Sequence, residues 1–248
     1  MFNKAKNEKD PVERLKWVIA ASISSYYLCT NQNKPFNPLL GETHQGSFPD
    51  GSRFYCEHTS HHPPISHYLL EGPNEDWRMS GYYEYIGSIS GNSLTSGFRG
   101  PTTLEFKDGT KIRFHLPDFR ISGALYGDRV LEGTGTLCFQ DMTNNLKAVI
   151  LMNTYKEKGM FNKSVTGSKT GFEGVIYKVI AEKNTPIKFG KKQELPDDLK
   201  KLKDMEKKLC DISGGFLDEI SFSGKQFWNI NNDKPLRQIP QTASQAIY

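Results

Sequence analysis

The sequence predicts a mainly β fold in which an antiparallel meander closes into a sandwich or a barrel. From about residue 47 onward, short stretches rich in Tyr, Phe, Ile, Val and Thr alternate with turn signals. The turn signals are PDGS at 49–52, EGPNED at 71–76, KDGT at 107–110, YGDR at 126–129 and TNN at 143–145. Regular spacing of this kind is typical of consecutive strands joined by hairpins. Helices are predicted at only two places in the chain.

Length and charge indicate a single domain with no nucleic-acid partner. The 248 residues suit one large β-rich domain, and a chain of this size buries about three quarters of its unfolded surface. The formal net charge is +4, but acidic residues are interspersed among the lysines and arginines, so no nucleic-acid-binding stripe is formed. The composition supports at most a modest preference for anionic surfaces.

The cysteines and the apolar runs indicate a protein of the reducing cytoplasm. Cys29, Cys56, Cys138 and Cys210 have neither the spacing of a zinc ribbon nor the density of a secreted disulfide scaffold. The longest apolar run is AVILM at 148–152, well short of the roughly 20 residues that a membrane-spanning helix requires. We expect a soluble protein that can bind peripherally to membranes.

A strong start signal predicts the first helix, over residues 11–29. Asp10 can cap the helix, Pro11 suits the first helical position and Glu13 completes a capping box. Residues suited to a buried face then recur at helical spacing, namely Leu15, Val18, Ile19, Ser22 and Tyr26. The next segment, NQNKPFNPLLGETHQG, contains two prolines and two glycines, which favour an ordered loop.

A second helix is predicted over residues 195–210, LPDDLKKLKDMEKKLC. Leu199, Leu202, Met205 and Leu209 fall on one face at helical spacing, and the intervening lysines form a solvated face. The sequence then returns to the strand-like stretches FLDEISFSG and KQFWNI and ends in a polar tail.

The segment CEHTSHHPPIS, at residues 56–66, places three histidines and a glutamate within six positions. A zinc site built from His58, His61 and His62 would need imidazoles that converge from i and i+4 on a helix or from alternate positions on a strand. This spacing suits neither arrangement. The two prolines that follow exclude a helix and favour extended geometry, in which the side chains of His61 and His62 should diverge.

Three other interpretations of the histidines remain open. A catalytic histidine would require a fixed carboxylate or hydroxyl partner, and nothing in the sequence fixes Glu57, Ser60 or Ser66 in space. The histidines could simply be surface residues of a proline-stiffened turn. Alternatively, two adjacent histidines held rigidly form a donor fork for a phosphate. The second ionisation of a phosphate, near pH ~6, is close to that of imidazole, and its charge favours the protonated ring.

A second segment, KPFNPLLGET at 34–43, gives the histidines a family context. It places Lys34 and Asn37 on a loop stiffened by two prolines. Together with EHTSHHPPIS it resembles the two hallmark segments of the oxysterol-binding-protein-related lipid-transfer family, in the family's order. The preceding DPVERLKWVIAASISSYY resembles the family's helix before the lysine loop, and the resemblance covers most of residues 10–235. It implies an incomplete antiparallel β-barrel around an apolar tunnel, in agreement with the predicted meander.

The resemblance also implies a function: a carrier that extracts single lipids from membranes and exchanges phosphatidylinositol 4-phosphate for a sterol or phosphatidylserine. The implied headgroup site comprises Lys34, whose ammonium contacts phosphate, Asn37 and the Phe36 backbone, and His61 and His62, which bind the 4-phosphate. No catalytic residue, metal or cofactor is implied. We expect a cytoplasmic monomer that contacts anionic membranes at endoplasmic reticulum contact sites, the Golgi or the plasma membrane.

Two segments of the family pattern have no counterpart in this sequence. Members carry an N-terminal lid, for which the residues before Pro11 leave no room, and a helical C-terminal region with a Lys, a Glu and an Arg, which PQTASQAIY does not match. Residues 1–248 are therefore expected to form a single lipid-binding domain without those parts, either as a fragment of a longer polypeptide or as a protein that has lost them. The alternatives are a zinc-dependent hydrolase using Glu57, His58 and His61, and a non-catalytic interaction module.

Overall fold

The computed structural model describes residues 1–30, 36–158, 164–186, 198–232, 239–240 and 245–246. Within these ranges the protein consists of one large antiparallel β-sheet, a separate pair of short strands, and two N-terminal helices packed against one face of the sheet. The predicted mainly β fold is confirmed. No helix in these ranges is both long enough and apolar enough to cross a membrane.

The helices are α1 (Phe2–Ala5) and α2 (Pro11–Ser24). As predicted, Asp10 caps α2, because its side chain accepts a hydrogen bond of 2.7 Å from the Val12 amide. The α-helix ends at Ser24, and a 3-10 helix continues to Thr30. The predicted first helix therefore forms, with its last residues in the tighter 3-10 geometry.

The strands of the first half are β1 (Glu42–Ser47), β2 (Arg53–His61), β3 (Pro64–Glu71), β4 (Trp77–Ser90), β5 (Ser93–Arg99), β6 (Thr102–Phe106), β7 (Lys111–Phe114), β8 (Asp118–Ser122) and β9 (Val130–Thr134). Those of the second half are β10 (Thr136–Asp141), β11 (Leu146–Met152), β12 (Lys156–Lys158), β13 (Ser164–Thr166), β14 (Gly171–Val179), β15 (Met205–Gly215), β16 (Glu219–Phe222), β17 (Lys225–Asn229), β18 (Ile239–Pro240) and β19 (Gln245–Ala246). β12 and β13 form the separate pair.

The long strand β4 organises the sheet. On one side it pairs with β3, which leads through β2 to β1 and then to β18 and β19. On its other side the first half of β4 pairs with β6 and the second half with β5. From β6 the sheet continues through β7, β10, β11, β14, β15 and β16 to β17, and from β5 through β8 to β9. Among the described residues no ladder joins β17 to β1, so the predicted incomplete barrel is an open antiparallel sheet.

Three consecutive pairs of strands that lie side by side in the sheet are interrupted at the same height along the strand direction. We call this line of interruptions the crease. β5 leads into β6 through Gly100–Pro101, β7 into β8 through residues 115–117, and β9 into β10 through Gly135. Proline offers no backbone N–H to a ladder, and Gly100 and Gly135 have φ of +144° and +80°. A Cβ on Gly100 would lie 2.1 Å from the Tyr82 carbonyl oxygen, so only glycine fits there. The crease separates an arm, made of β5, β8, β9 and Glu84–Ser90 of β4, from the larger part of the sheet.

The main core lies between α2 and the face of the sheet that we call the inner face. Buried side chains of α2 pack there against large apolar residues of the strands, including Leu104, Ile112, Phe139, Ile150, Phe172, Ile220 and Phe222. A smaller cluster on the outer face consists of Cys138, Val149, Val175, Tyr177 and Val179. β10, β11 and β14 are therefore buried on both faces.

The predicted second helix over 195–210 is wrong for the residues described there. Leu199–Lys201 is a single 3-10 turn, and Met205–Gly215 is the strand β15. Of the four apolar residues at helical spacing, the first two pack against the outer cluster and the last two are each 36% exposed. β14 offers a long hydrogen-bonding edge, and β15 pairs along it. Tertiary pairing thus outweighs the local helical propensity of a Lys- and Leu-rich segment.

Candidate functional site

The three histidines of CEHTSHHPPIS lie at the hairpin between β2 and β3. β2 ends at His61, β3 begins at Pro64, and these two residues are opposite each other in the ladder. His62 and Pro63 form the turn between them, joined by a cis peptide bond. As predicted, no helix passes through this segment.

A β-bulge brings two of the three histidines to the same face. The register shifts between His58, which is opposite Ser66, and Ser60, which is opposite Ile65. In a regular strand His58 and His61 would face opposite sides, because side chains alternate with a period of two. The extra residue of the bulge reverses the alternation. His58 Nε2 consequently lies 3.2 Å from His61 Nδ1.

The histidine side chains form a connected polar network. His58 Nδ1 lies 3.0 Å from the Ser66 hydroxyl oxygen. The rings of His61 and His62 pack edge to face with their centroids 5.0 Å apart. The prediction that these two side chains diverge is therefore wrong, because His62 occupies the turn and does not follow the alternation of the strand.

Burial distinguishes His58 from the other two histidines. His58 is only 4% exposed, whereas His61 and His62 are exposed. Burial and the neighbouring His61 lower the pKa of His58, against an opposing effect of the Glu42 carboxylate. At neutral pH His58 is thus an uncharged ring that bridges Ser66 and His61. It fixes the orientation of His61 without adding charge.

The loop that carries Phe36 and Asn37 reaches the same hairpin. β1 follows this loop and pairs with β2, with Thr43 opposite Glu57. The Gly41 amide donates a 2.8 Å hydrogen bond to the His58 carbonyl oxygen. The two segments that carry the family resemblance therefore meet at one end of the sheet.

The five predicted headgroup residues are placed as follows. His61 and His62 lie at the hairpin tip, and Phe36 and Asn37 lie exposed in the loop before β1. Lys34 lies outside the described residues, so its approach to the imidazoles stays a prediction. The base of the loop is closed by Glu42, whose carboxylate accepts a 2.7 Å bond from the Leu39 amide.

The Glu57 side chain does not lie on the same face of the sheet as His58 and His61. It stands opposite Thr43 and His67 on the outer face, whereas His58, the next residue along β2, faces inward. In the described ranges no group of three or more His, Cys, Asp or Glu residues could hold a metal ion. The geometry that the zinc-hydrolase alternative required of Glu57, His58 and His61 is not formed.

An aromatic pair that the sequence analysis missed lies next to the network on the inner face. Tyr68, two residues after Ser66 on β3, stacks on Tyr83 with ring centroids 4.5 Å apart. Its hydroxyl lies 2.6 Å from the Thr102 hydroxyl. Burial raises the pKa of both phenols, which keeps them uncharged. The alternation of Ser66, Tyr68 and Leu70 was the signal that could have identified this face.

An apolar wall continues from this pair along the inner face of the arm. Tyr83, Tyr85 and Ile89 are alternate residues of β4, and Tyr85 is opposite Phe98 while Ile89 is opposite Leu94 on β5. Exposure is 43% for Tyr85, 38% for Leu94 and 77% for Ile89. The wall, defined by these five residues, is thus partly open to solvent.

A separate open groove of about 590 Å³ lies on the outer face across β1 to β4. Its lining includes Tyr55, Glu57, His67 and Tyr82, and His67 Nδ1 lies 2.8 Å from the Thr59 hydroxyl. Because these side chains face away from His58 and the apolar wall, this groove is not the predicted lipid tunnel. That tunnel stays a prediction.

The fold is an open antiparallel sheet, and at one end of it the loop at residues 36–41 meets the histidine hairpin. Together these features define a class of protein. A family model described as oxysterol-binding protein matches residues 1–241. The chain belongs to the oxysterol-binding protein family.

Two relatives show how much of the family's length this chain spans. Oxysterol-binding protein 9 of Dictyostelium discoideum is 35% identical over 230 residues, which cover 91% of this chain and 51% of that protein. Oxysterol-binding protein-related protein 2 of Mus musculus is 32% identical over 168 residues, which cover 66% of this chain and 34% of that protein. The chain thus spans about half, or less, of the length of these relatives.

Two solved structures share the fold. The Osh3 ORD from Saccharomyces cerevisiae, in complex with PI(4)P, matches with a TM-score of 0.67 at 23% identity, over 92% of this chain and 54% of that chain. The Osh1 ORD domain in complex with cholesterol matches with a TM-score of 0.68 at 22% identity, over 96% of this chain and 48% of that chain. The predicted fold class is confirmed by both.

Proposed function

We propose that this protein binds and transfers single lipids, and that the hairpin end of the sheet holds the phosphate of phosphatidylinositol 4-phosphate. The observation that carries the proposal is the meeting of the loop at residues 36–41 with the histidine hairpin, through β1–β2 pairing and the bond from Gly41 to His58. Membership of the family and the PI(4)P bound to the Osh3 ORD support it.

The residue types at this end suit a phosphate monoester. Such a group carries a charge of about −1.5 to −2 at neutral pH and has three acceptor oxygens. His61 Nδ1 is engaged by His58, which leaves His61 Nε2 to contact phosphate beside the His62 ring. Lys34, the Asn37 side chain and the Phe36 backbone add donors from the loop. Each charge-assisted bond contributes roughly 1.5 to 3 kcal/mol.

The apolar wall is proposed to receive the hydrophobic part of the lipid. Tyr85, Ile89 and Leu94 are exposed side chains on the inner face, next to the buried Tyr68–Tyr83 pair. Covering apolar surface contributes about 25 cal/mol per Å². A sterol or phosphatidylserine is proposed as the lipid exchanged for the phosphoinositide, and the cholesterol bound to the Osh1 ORD domain supports a sterol.

The proposed activity places the protein at membrane surfaces. We propose a cytoplasmic monomer that contacts anionic membranes peripherally, at endoplasmic reticulum contact sites, the Golgi or the plasma membrane. Residues 1–248 act in this proposal as one lipid-binding domain without a cofactor.

The proposal is tested by replacing the two exposed histidines. His61→Ala with His62→Ala removes phosphate donors but leaves the apolar wall unchanged, so extraction of phosphatidylinositol 4-phosphate from vesicles should fall at least about tenfold, equivalent to about 1.4 kcal/mol. Sterol uptake should persist. The matched control is His67→Ala, which removes an exposed histidine from the outer face of the same hairpin.

Melting curves of the three proteins accompany the extraction assay. Unchanged phosphoinositide extraction by a folded double variant would contradict the headgroup site. Loss of all lipid binding together with a collapsed melting temperature would show that the histidines stabilise the fold instead. A parent protein that extracts no lipid, as judged by native mass spectrometry, would favour the non-catalytic interaction module.

A further inference from the structure

We propose that the tip of the arm is a membrane-docking element that inserts Leu125 and Tyr126 into the interface of a lipid bilayer. The arm tip is defined as the β4–β5 turn, Gly91–Asn92, and the β8–β9 loop, residues 123–129. The inference rests on the proposed function, because it assumes that the protein meets membranes. It identifies a surface through which that contact is made.

The side chains at the apex of the tip suit a bilayer interface. Leu125 is 77% exposed and Tyr126 is 74% exposed. The flanking residues 122–127, SGALYG, carry no charge, and the two charged residues that follow, Asp128 and Arg129, have opposite signs. A leucine beside a tyrosine offers apolar area with one polar hydroxyl, the combination favoured where hydrocarbon meets headgroups.

Hydrogen bonds within the tip satisfy the amides of both residues and the carbonyl oxygen of Tyr126. The Asn92 side-chain oxygen accepts bonds from the amides of Leu125 at 2.8 Å and Tyr126 at 3.2 Å. Its side-chain amide donates to the Tyr126 carbonyl oxygen at 2.7 Å, and the Ala124 amide donates to the Asn92 carbonyl oxygen at 3.1 Å. Unsatisfied backbone groups are costly in a bilayer, where no water replaces the missing partners. By pairing three of the four backbone groups of Leu125 and Tyr126, Asn92 lowers that cost.

The loop is also held in one shape. Gly123 has φ of +70°, and a Cβ there would lie 2.0 Å from the Asp128 carbonyl oxygen. This close approach brings the two ends of the loop together and leaves Leu125 and Tyr126 at its apex. A loop that is already ordered loses little conformational freedom when it docks.

The arm tip lies at the same end of the sheet as the histidine hairpin. β2 ends at the hairpin, β3 runs away from it, and β4 runs back toward it. Glu84 of β4 is opposite Ile65 beside the hairpin, and β4 continues past this point to Ser90. The six residue-to-residue steps from Glu84 to Ser90 span about 20 Å at about 3.3 Å per step. Exposed apolar side chains of the loop before β1, those of Phe36, Leu39 and Leu40, are at this end too. The convergence of exposed apolar residues here favours a lipid surface as the occupant.

Binding to vesicles of phosphatidylcholine and phosphatidylserine, without phosphoinositide, tests the inference independently of the headgroup site. In the full chain, Leu125→Ser with Tyr126→Ser should weaken vesicle binding about tenfold, since two apolar side chains no longer leave water. The melting temperature should not change, because both side chains are exposed. The matched control is Met205→Ser with Leu209→Ser, which removes two exposed apolar side chains from β15 and should bind like the parent.

A depth measurement distinguishes insertion from surface attraction. The single variant Tyr126→Trp is mixed with vesicles whose phospholipids are brominated in their acyl chains, with the parent as the fluorescence background. Insertion predicts quenching of the introduced tryptophan and little weakening by added salt, since the tip carries no net charge. Absence of quenching, or equal vesicle binding by the parent and the Leu125/Tyr126 double variant, would overturn the inference.

Two further outcomes are decisive. If the double variant converts a dimer to a monomer in light scattering while vesicle binding is unchanged, the tip is an interface between copies of this chain and the inference fails. If vesicle docking depends on the tip while phosphoinositide extraction does not depend on His61 and His62, the docking inference stands and the proposed headgroup site fails.

Discussion

His58 and His115 show how burial decides which histidines of this protein can carry charge. His58 is 4% and His115 8% exposed, and burial lowers the pKa of both rings, that of His115 to about 4. His115 lies at the crease, where its Nε2 donates to the Thr136 carbonyl oxygen at 3.0 Å. In the proposed headgroup site, positive charge for a phosphate would therefore come from exposed groups, with His58 acting on the orientation of His61.

Acid sensitivity of the fold should depend on His115. Its pKa falls on folding from 6.5 to about 4, so the unfolded state binds the proton more tightly between those values. The stability that a neutral His115 contributes is complete above about pH 6.5 and is lost as pH falls toward about 4, a change of roughly 3 kcal/mol. His115→Gln keeps a donor for Thr136 but does not titrate, so this variant should lose less stability in acid.

Urea unfolding at about pH 7 and about pH 4.5 measures this difference. His67→Gln, which replaces an exposed histidine on the outer face, is the control and should follow the parent. An identical loss of unfolding free energy in the His115 variant and the parent would rule out His115 as the acid-sensitive group.

At the scale of elements, the β2–β3 hairpin shows what local sequence can and cannot predict. The two prolines after His62 correctly excluded a helix from this segment. The bulge near Thr59 was not predictable in the same way, because it depends on how β2 aligns with β3. The contact between His58 and His61 follows from that alignment, so the sequence suggested the residues of the site but not their connection.

β15 illustrates the opposite failure, in which a clear local pattern misled. Residues 195–210 have helical spacing and many good helix formers, yet Met205–Gly215 pairs with β14 and β16. The unpaired edge that β14 would present without β15 exists only in the assembled sheet. It cannot be read from a window of sixteen residues.

The polar network across the hairpin predicts that Ser66 affects phosphoinositide extraction even without contacting the lipid. Ser66→Ala removes the hydroxyl that bonds His58 Nδ1, and the orientation of His58 and His61 becomes less fixed. Extraction of phosphatidylinositol 4-phosphate should fall by about two- to tenfold, corresponding to one hydrogen bond. Sterol uptake and the melting temperature should stay near those of the parent.

Two variants make the Ser66 experiment specific. Ser66→Thr keeps a hydroxyl and should restore most of the extraction. Thr59→Ala removes a hydroxyl that bonds His67 on the outer face and should have no effect. Equal extraction by the Ser66→Ala variant and the parent would show that the orientation of His58 does not contribute to phosphoinositide extraction.

At the scale of the whole molecule, regular turn spacing was sufficient to predict an antiparallel meander, whereas the incomplete barrel was implied only by the family resemblance. The helix at residues 11–24 also followed from its own start signal. The division of the sheet into an arm and a helix-packed part did not, because it depends on Gly100, Pro101, Pro117 and Gly135 lying at one level. These residues are far apart in sequence, and only strand pairing aligns them.

A lipid bound against the apolar wall should stabilise the whole fold. A ligand that binds only the folded state adds about 2.7 kcal/mol when present at about 100 times its dissociation constant. Sterol delivered from cyclodextrin should therefore raise the melting temperature. Ile89→Asp with Leu94→Asp should abolish this increase, because a bound sterol would bury two unpaired carboxylates.

The unliganded double variant should melt close to the parent, since Ile89 is 77% and Leu94 38% exposed. Leu209→Asp, at an exposed position of β15, is the control and should retain the sterol-dependent increase. An equal increase in the Ile89/Leu94 variant and the parent would place the sterol elsewhere.

The crease also has a mechanical consequence. Where Gly100–Pro101, residues 115–117 and Gly135 interrupt neighbouring strands, the sheet lacks the regular ladder that resists bending. β4 runs through this line unbroken, and at the base of the arm Arg99 of β5 donates two hydrogen bonds to Asp118 of β8, at 2.7 and 3.0 Å. We therefore expect any change in the width of the inner face to be accommodated along this line and in β4, which crosses it, with the core around α2 unchanged.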